Sequence, residues 1–585
     1  MLRIFKNLTK KENPFILLSI VFVVAQVWLE LKMPDYMSEI TLLVQTEGSA
    51  MGDIITAGIK MMACAFGSLC TAVIVSVFAS KVSASFSATL RKKLFDKVQS
   101  FSMEEIGHFS TSSLITRSTN DVTQVQMLIV MGLQVMIKAP IMAVWAIAKI
   151  YNKNGVWTFS TAIAVVILLI TVITCVSVTM PKFKKLQTYT DNLNRVTREN
   201  LNGLRVVRAY NAENYQEQKF KNANDTLTET QLFTSRMMAT MMPTITLINS
   251  ALSLSIYWLG AYMIDAADFP EKLTLFSDMV VFSSYAMQVV MSFMMLVMIF
   301  IILPRASVSA KRILEVLDTK ATISDGNRID GVSGLRGEIE FRNVSFKYPD
   351  ADDYILKDIS FTAHKGETIA FIGATGCGKS TCINLVPRFY DTTEGEVLVD
   401  GVNVKEYTQY ALHNKIGYVS QKAILFGGTI KSNVAYGDNG KGDFLQNDIV
   451  EAVYTAQASE FVENLHNSYD GFVAQGGANL SGGQKQRISI ARAICRHPEI
   501  LIFDDSFSAL DYRTDKALRD ALNKECGSST RLIVAQRIGT IRDADKIIVL
   551  DKGRAVGIGT HSELMKSCDV YKEIAYSQLS KEELA

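Results

Sequence analysis

The chain has 585 residues, which is too many for one hydrophobic core and predicts two or more domains. Its hydrophobic fraction of 48% points to a membrane protein, whereas its 20% charged residues are close to a soluble protein's, so the composition indicates a mixture. The formal net charge of +2 excludes the basic excess of a nucleic-acid-binding protein, and no nucleic-acid partner is expected.

At the N-terminus, basic residues precede a long apolar run without a small-residue cleavage site, which favours a retained membrane helix over a signal peptide. The eight cysteines are spaced singly, without the pairs typical of metal or redox motifs. We expect them to be reduced thiols that pack as small apolar residues.

Six apolar stretches before residue 305 are long enough to cross a bilayer. They cover residues 15–32, 55–80, 127–150, 156–180, 237–264 and 274–303. Lys and Arg crowd the N-terminal segment and the connections 81–126 and 181–236, whereas the alternate connections carry almost none. This asymmetry predicts a multi-pass protein of the plasma membrane with both termini cytoplasmic. The two long connections are amphipathic and are expected to be helices that continue out of the bilayer.

Two charged residues and a set of methionines lie within these stretches. Lys138 and Asp278 are candidate functional residues, because a charge inside a membrane is costly; for Lys138, pairing with a carboxylate or snorkelling is an equal alternative to a substrate role. The methionines recur at helical spacing, which fits an adaptable substrate surface or, somewhat better, ordinary packing. They are Met287, Met291, Met294, Met295 and Met298.

A polar, glycine-containing segment, 318–336, is predicted to be a linker between two domains. Residues 1–317 are predicted to form an all-α transmembrane domain of six helices. Residues 337–585 are predicted to form an α/β domain with a partly parallel sheet, because short β-type runs alternate with helical ones. Near its start, Tyr348 is an aromatic residue that could stack on a base.

The stretch 373–380 fits the phosphate-binding pattern G-x-x-x-x-G-K-[ST], and it lies between a predicted strand, 367–372, and a predicted helix, 381–385. Glycines let the backbone wrap around a phosphate, Lys379 adds a positive charge and Ser380 offers a hydroxyl to Mg²⁺. The sequence therefore predicts a P-loop that binds ATP and Mg²⁺. Its candidate residues are Gly373, Ala374, Thr375, Gly376, Cys377, Gly378, Lys379, Ser380 and Thr381.

Two further motifs follow along the chain. Ser481, Gly482, Gly483 and Gln484 lie in a glycine hairpin that opens a helix, which is an anion site without a phosphate of its own. An apolar run then ends in Asp504, the arrangement that lets a carboxylate reach Mg²⁺ from the carboxyl end of a strand. A strand ending in aspartate is a weak signal alone, but it is a strong one beside a P-loop.

The octet 480–487 resembles the signature of ATP-binding cassette (ABC) proteins, and other pieces match in order: Tyr348 the A-loop, Gln421 the Q-loop and Asp511 the D-loop. Six spans followed by one such domain resemble a half-size ABC exporter. Residues 117–122 and 203–210 are similar to the exporter loops that couple to the nucleotide domains. The resemblance implies that two nucleotide domains enclose two ATPs, each held between one subunit's P-loop and the other's signature.

The resemblance fails at the chemical centre. Asp505 stands where the family has a glutamate that acts on the attacking water, and Gln536 stands at the position of the switch histidine. Aspartate places its carboxylate about 1.5 Å short, which proximity arguments put at about 10²-fold in rate, and glutamine cannot carry a proton. The alternative is that Asp505 works through a repositioned water. Gln475 also departs from the family, and no function is assigned to it.

This pattern resembles one subunit of a heterodimeric bacterial multidrug-type exporter with a degenerate ATP site, and it implies a different half-transporter as partner. The catalytic candidates are Asp505, Gln536 and Gln421, and the metal ligands implied are Ser380, Gln421 and Asp504. The leading hypothesis is an ATP-hydrolysing subunit that moves small amphipathic or drug-like molecules out across the lipid bilayer. An importer of metal chelates with the same architecture and an ATP-gated channel or sensor are the alternatives.

Overall fold

The computed structural model describes residues 2–46, 48–151, 153–268, 271–349 and 351–578. The chain divides into two compact units, one of Met1–Gln99 with Thr111–Thr319 and one of Ser100–Ser110 with Lys320–Ala585. Ser100–Ser110 belongs to the second unit, although helices of the first unit flank it in the sequence.

The first unit is helical, and it begins with the 3₁₀ helix Leu2–Asn7. The helices, numbered through the whole chain, are α1 (Asn13–Gln45), α2 (Met51–Gln99), α3 (Met103–Phe109, in the second unit), α4 (Thr111–Thr116), α5 (Val122–Met131), α6 (Lys138–Tyr151), α7 (Gly155–Asn202), α8 (Leu204–Ala209), α9 (Glu213–Ala266) and α10 (Glu271–Asp318). Two π-helical turns, Arg117–Asp121 and Gly132–Met136, join α4, α5 and α6. Among the described residues, six helical stretches are long and apolar enough to cross a membrane, and they coincide with the six predicted spans.

Four of these helices are much longer than a bilayer is thick. Helices α2, α7, α9 and α10 contain 49, 48, 54 and 48 residues. At 1.5 Å per residue they are about 70–80 Å long, more than twice the hydrocarbon core of roughly 30 Å. The predicted extension of helices out of the bilayer is therefore observed, and the short α8 forms the turn between α7 and α9.

Both charged residues singled out within the spans form ion pairs. Lys138 Nζ lies 2.8 Å from Oε1 of Glu30 on α1, and both side chains are largely buried. Asp278 Oδ1 lies 2.5 Å from Nζ of Lys153. For Lys138 the structure thus shows the pairing alternative, and a direct role in substrate binding stays a prediction.

The methionines predicted to form a stripe on α10 differ in their exposure. Met287 and Met291 are exposed, whereas Met294 and Met295 are half-buried. The side chain of Met298 lies outside the described residues. A role of the stripe in substrate preference stays a prediction.

The second unit is an α/β fold, as the alternating runs predict. Its strands are β1 (Ile339–Phe346), β2 (Leu356–Ala363), β3 (Thr368–Gly373), β4 (Glu394–Val399), β5 (Val402–Asn403), β6 (Ile416–Val419), β7 (Gly428–Thr429), β8 (Phe472–Val473), β9 (Ile500–Asp504), β10 (Thr530–Val534), β11 (Lys546–Asp551) and β12 (Arg554–Gly559). Its helices are α3 and α11 (Lys379–Asn384), α12 (Gln409–Lys415), α13 (Ile430–Val434), α14 (Gln446–Thr455), α15 (Ser459–Glu463), α16 (Gly482–Cys495), α17 (Tyr512–Glu525), α18 (Ile538–Ile541), α19 (His561–Ser567) and α20 (Asp569–Gln578).

The strands form a six-stranded sheet of order β12-β11-β3-β10-β9-β6, which is parallel except at β12, and a four-stranded antiparallel sheet of order β2-β1-β4-β5. The remaining strands, β7 and β8, pair as a two-stranded antiparallel sheet. Strands β9 and β10 are buried at every residue, so their sequences are continuous runs without alternation, as is typical of inner parallel strands. The carboxyl ends of β3, β6, β9 and β10 meet at one edge of the larger sheet, where α/β folds bind ligands.

The short helix α3 is attached to the second unit through Glu105. The carboxylate of this residue accepts hydrogen bonds from the Ser102 backbone N–H at 2.7 Å, the Ser102 hydroxyl at 2.6 Å and the Thr322 backbone N–H at 2.9 Å. Burial raises the pKa of Glu105, but these hydrogen bonds lower it by more, so the net pKa is below its usual value. An ionised Glu105 therefore connects α3 to the start of the predicted linker.

Candidate nucleotide-binding site

The predicted P-loop follows β3, and its glycines are required by close packing. Gly378 has φ +102°, and a Cβ there would lie 2.7 Å from Cδ2 of Leu356. A Cβ at Gly373 would overlap the carbonyl oxygen of Leu550. At Gly373 and Gly378 the loop therefore leaves no room for a side chain. Residues 374–376 are exposed and residues 377–379 are buried, so the outer part of the loop faces solvent.

Lys379 and Ser380 lie at the start of α11. The Lys379 ammonium donates to the carbonyl oxygens of Gly373 at 2.8 Å and Ala374 at 2.9 Å, so the side chain folds back along the loop. The Ser380 hydroxyl donates to Oδ1 of Asp504 at 2.6 Å. The structure thus brings two of the three predicted Mg²⁺ ligands into direct contact.

Asp504 is buried at the end of β9. Burial raises the pKa of its carboxyl, and the charge of Asp505 adds to this increase, whereas the Ser380 hydrogen bond and the Lys379 charge oppose it. The net pKa is raised, so a cation beside this carboxylate would be favourable.

The donor set around Asp504 fits a metal that arrives with a nucleotide. Mg²⁺ in nucleotide sites usually takes one or two protein oxygens and completes its shell with phosphates and waters. Across the described ranges of the chain, no group of three or more His, Cys, Asp or Glu could hold a metal ion by itself. Ser380 and Asp504 therefore suit Mg²⁺ bound to ATP rather than a site made of protein alone.

Asp505 is at the centre of a three-residue contact. Its Oδ2 atom accepts a hydrogen bond from Nε2 of Gln536 at 2.7 Å and another from Nε2 of Gln421 at 3.3 Å. Gln421, which the resemblance implies to be a metal ligand, thus donates to the neighbouring carboxylate in this structure. Asp505 is buried and has a left-handed backbone, with φ +47°. Both amides donate to the carboxylate, and neither can take a proton from it.

The signature residues cap α16, a helix of 14 residues. The Gln484 backbone N–H donates to the Ser481 hydroxyl at 3.3 Å, and the Ser481 backbone N–H donates to Oε1 of Gln484 at 2.9 Å. Ser481 and Gly482 are exposed and Gly483 is half-buried, so the positive end of the helix is accessible. No hydrogen bond between the described residues joins this segment to the P-loop of the same chain.

The two remaining candidates, Tyr348 and Asp511, each contact the first turn of a helix. The Tyr348 hydroxyl lies 3.1 Å from Oγ1 of Thr381, at the start of α11. Asp511 caps α17 by accepting from the Thr514 backbone N–H at 3.0 Å and from the Thr514 hydroxyl at 2.8 Å, and these hydrogen bonds lower the pKa of Asp511.

Sequence reasoning missed Gln578, which lies on the polar helix α20. Its Nε2 donates to the Gln536 carbonyl oxygen at 2.7 Å, and its Oε1 accepts from the Ile538 backbone N–H at 2.9 Å. Gln578 thus fixes the backbone on both sides of the loop after β10. No sequence pattern distinguishes it from other glutamines. Gln475 begins a short 3₁₀ helix, Gln475–Gly477.

Comparison with known proteins agrees with this architecture. A family model described as ABC transporter transmembrane region matches residues 16–307, and one described as ABC transporter matches residues 356–508. An uncharacterized ABC transporter ATP-binding protein of Mycobacterium bovis is 38% identical over 553 residues, which cover 93% of each chain. The ATP-dependent lipid A-core flippase of Aromatoleum aromaticum is 32% identical over 523 residues, covering 86% of this chain and 82% of the flippase.

Among solved structures, a bacterial Atm1-family ABC exporter with ATP bound has the same fold. The TM-score is 0.81, with 24% sequence identity, and the match covers 97% of this chain and 99% of the exporter. The two family models match the chain in the order transmembrane region, then ATP-binding domain, which is also the order of the two units in the structure. The relatives and the solved structure match over most of the chain. The chain therefore belongs to the ABC transporter family and has the fold of a half-size ABC exporter, in which a transmembrane domain precedes an ATP-binding domain.

Proposed function

We propose that this chain is one subunit of a heterodimeric ABC exporter and that its own ATP site binds ATP but hydrolyses it slowly. The observation that carries the proposal is the contact of Asp505 with two amide donors, Gln536 at 2.7 Å and Gln421 at 3.3 Å. The two departures from the family pattern thus lie in one hydrogen-bonded group.

This group is poorly suited to activate water. A general base must lie about 2.6–3.2 Å from the proton donor, and the side chain of Asp505 is one methylene shorter than the glutamate of the family. Hydrogen bonds from Gln536 and Gln421 both end on Oδ2 of this carboxylate, so that oxygen is already occupied and is less accessible to an attacking water. Gln536 adds no group that can carry a proton. Binding of ATP without rapid hydrolysis follows from this combination.

The parts that hold a nucleotide are present in the same site. We propose that Gly373–Thr381 holds the phosphates, that Lys379 neutralises them and that Tyr348 stacks on the base. Ser380 and Asp504 would hold Mg²⁺, which screens the phosphate charge when it is bound. Gln421 would offer its Oε1 to the metal, because its Nε2 is the atom that donates to Asp505.

The signature supplies the second part of the proposal. Ser481 and Gly482 are exposed at the positive end of α16, and the capping box holds this end in shape. We propose that Ser481–Gln484 and Asp511 complete the partner's ATP site, to which the partner contributes the glutamate and the histidine. Hydrolysis would then take place mainly at that second site.

The proposed substrate class rests on the name of a relative and on exposed methionines, and the proposed orientation rests on the distribution of Lys and Arg. The name of the Aromatoleum relative refers to lipid A-core, an amphipathic molecule, and the exposed Met287 and Met291 provide adaptable apolar surface. We therefore propose export of amphipathic or drug-like molecules. The Lys and Arg of the N-terminal segment and of the connections 81–126 and 181–236 favour cytoplasmic termini.

Flux in inside-out vesicles tests the transport direction. The complex of this chain with its partner should accumulate an amphipathic dye in the vesicle lumen when ATP is added outside, and vesicles without ATP are the control. ATP-dependent depletion of the lumen would indicate an importer. A passive ion current that needs only ATP binding would indicate a channel. Either result would overturn the export proposal.

A further inference from the structure

We propose that the first unit binds one acyl chain of an anionic phospholipid in an apolar cavity at the membrane border on the N-terminal side. This site goes beyond the proposed transport function and does not depend on it. Only the assignment of the site to the cytoplasmic leaflet rests on the proposed orientation, in which both termini are cytoplasmic.

The cavity has a volume of about 320 Å³ and lies among the N-terminal 3₁₀ helix, α1, α2, the π-helical turn Gly132–Met136 and the end of the last span. Phe5 and Leu8 form one wall, Val82 a second, and Gly132 and Met136 a third. Every lining residue among those that the structure describes is apolar. For comparison, an engineered apolar cavity of roughly 150 Å³ accepts benzene. The space is therefore sufficient for a segment of hydrocarbon chain.

The chemistry of the lining selects the occupant. A water molecule inside a protein needs two to four polar partners, which an apolar lining does not offer. A hydrocarbon chain needs none, and it gains dispersion contacts with the wall. In a bilayer the most abundant hydrocarbon is the lipid itself, so an acyl chain is the occupant that the surroundings supply.

The wall formed by Gly132–Met136 is unusual in its backbone. It is a π-helical turn between α5 and α6, and such turns are rare inside helices and frequent at functional sites. A Cβ at Gly132 would meet only the sulfur of Met136, at 3.9 Å, which is an ordinary contact. Alanine therefore fits at this position, whereas a larger side chain would enter the cavity.

The lining residues also fix the depth of the cavity. Leu8 precedes the first span, Val82 follows the second and Leu303 ends the sixth, so all three lie where apolar sequence gives way to polar sequence. This border corresponds to the level of the lipid headgroups on one side of the membrane. An acyl chain in the cavity would therefore carry its headgroup beside the N-terminal segment.

The N-terminal segment is basic, so it favours a lipid headgroup with a negative charge. Lys6, Lys10 and Lys11 are exposed, and they alternate along the chain with the lining residues Phe5 and Leu8. The single carboxylate among residues 1–16, that of Glu12, is buried and accepts a hydrogen bond from the Thr9 backbone N–H at 2.7 Å. The rim thus favours an anionic headgroup over a zwitterionic one.

The second basic element of the rim is Lys81. It is exposed and precedes the lining residue Val82, and its Nζ lies 4.3 Å from the ring centroid of Phe15. Cationic side chains in the N-terminal segment and in α2 are therefore sequence neighbours of residues that line the cavity.

The test is photolabelling of the full-length chain in lipid nanodiscs. The probes are phosphatidylglycerol and phosphatidylcholine, each with a diazirine in one acyl chain, and mass spectrometry locates the labelled residue. We expect label on the turn Gly132–Met136 and a preference for phosphatidylglycerol. Replacement of Lys10 and Lys11 by Gln should reduce this preference about fivefold for each lysine removed.

Matched variants at one position test the cavity itself. Gly132→Phe should reduce labelling at least about tenfold, because it displaces several buried methylenes, whereas Gly132→Ala should stay within about twofold of the parent. Met136→Phe fills the same space and serves as a second variant if Gly132→Phe does not fold. Equal labelling of the filled and alanine variants would overturn the proposal, and so would equal labelling of the parent by the two lipids.

Discussion

The side-chain amide nitrogen of Gln536 lies 2.7 Å from Oδ2 of Asp505, so the two residues that depart from the family's glutamate and histidine are bonded to each other. An amide donates in this way at every accessible pH, whereas a histidine changes its charge near neutrality. The contact therefore holds the carboxylate in place without moving a proton. Asp505 and Gln536 therefore form one hydrogen-bonded unit.

Asp505→Asn should have little effect on the assembled complex. We expect ATP turnover to change by less than about threefold, because the proposed main site takes its base from the partner. The measurement is steady-state ATPase activity in lipid, with the corresponding substitution of the partner's base as the matched control, which should remove most activity. Loss of nearly all activity on Asp505→Asn would show that Asp505 is a working base.

Ser481→Arg should be much more damaging. The new side chain places bulk and charge at the open end of α16, where we propose that the partner's ATP binds, and turnover should fall by about 10²-fold or more. Ser481→Ala is the control for bulk and charge, because it removes the hydroxyl and its helix cap, at a cost on the order of 1 kcal/mol in stability, without adding a large or charged group. An unchanged rate in Ser481→Arg would mean that the two sites have been assigned the wrong way round.

The ion pair between Lys138 and Glu30 should contribute stability only as a pair. Lys138→Met leaves a largely buried carboxylate without its 2.8 Å partner, and breaking a buried pair in this way costs about 3–5 kcal/mol. The double variant Lys138→Met/Glu30→Gln should recover most of this loss, as measured by thermal unfolding in detergent. If the double variant is stable and transport is nevertheless lost, Lys138 has a role beyond pairing.

Glu105 should make the attachment of α3 sensitive to acid. The pKa of Glu105 is lowered in the folded protein, so its contribution is fully present above the unfolded value of about 4.3. This contribution is lost as the pH falls through the lower, folded pKa. The protection of α3 and Thr322 against hydrogen exchange, taken relative to the intrinsic rate at each pH, should be high at neutral pH and lower in acid, whereas Glu105→Gln should be less protected already at neutral pH. Protection in the parent that does not change in acid would contradict this role.

The sequence was sufficient for the elements that depend on local pattern. The six spans are continuous apolar runs, and the P-loop is a glycine motif between a strand and a helix, so both could be predicted without knowledge of distant contacts. The meeting of Asp504 with Ser380 also followed, because carboxyl ends of parallel strands lie at one edge.

The contacts that could not be predicted join residues far apart in the chain. Glu105 and Thr322 are separated by 217 positions, Lys138 and Glu30 by 108, and Gln578 and Gln536 by 42. A single polar residue carries no periodic signal, so nothing in its neighbourhood names its partner. The assignment of Ser100–Ser110 to the second unit depends on such contacts, and therefore the predicted boundaries did not include it.

The central claim is that this chain needs a different partner for steady ATP hydrolysis. The direct test is the ATPase activity of the chain alone, reconstituted in lipid, against that of the complex with its partner. If Asp505 and Gln536 each reduce the rate by about 10²-fold, the lone chain should turn over far below the range of roughly 1–100 s⁻¹ that is typical of phosphoryl transfer, whereas the complex should reach it. Robust, substrate-stimulated hydrolysis by the lone chain would contradict the account.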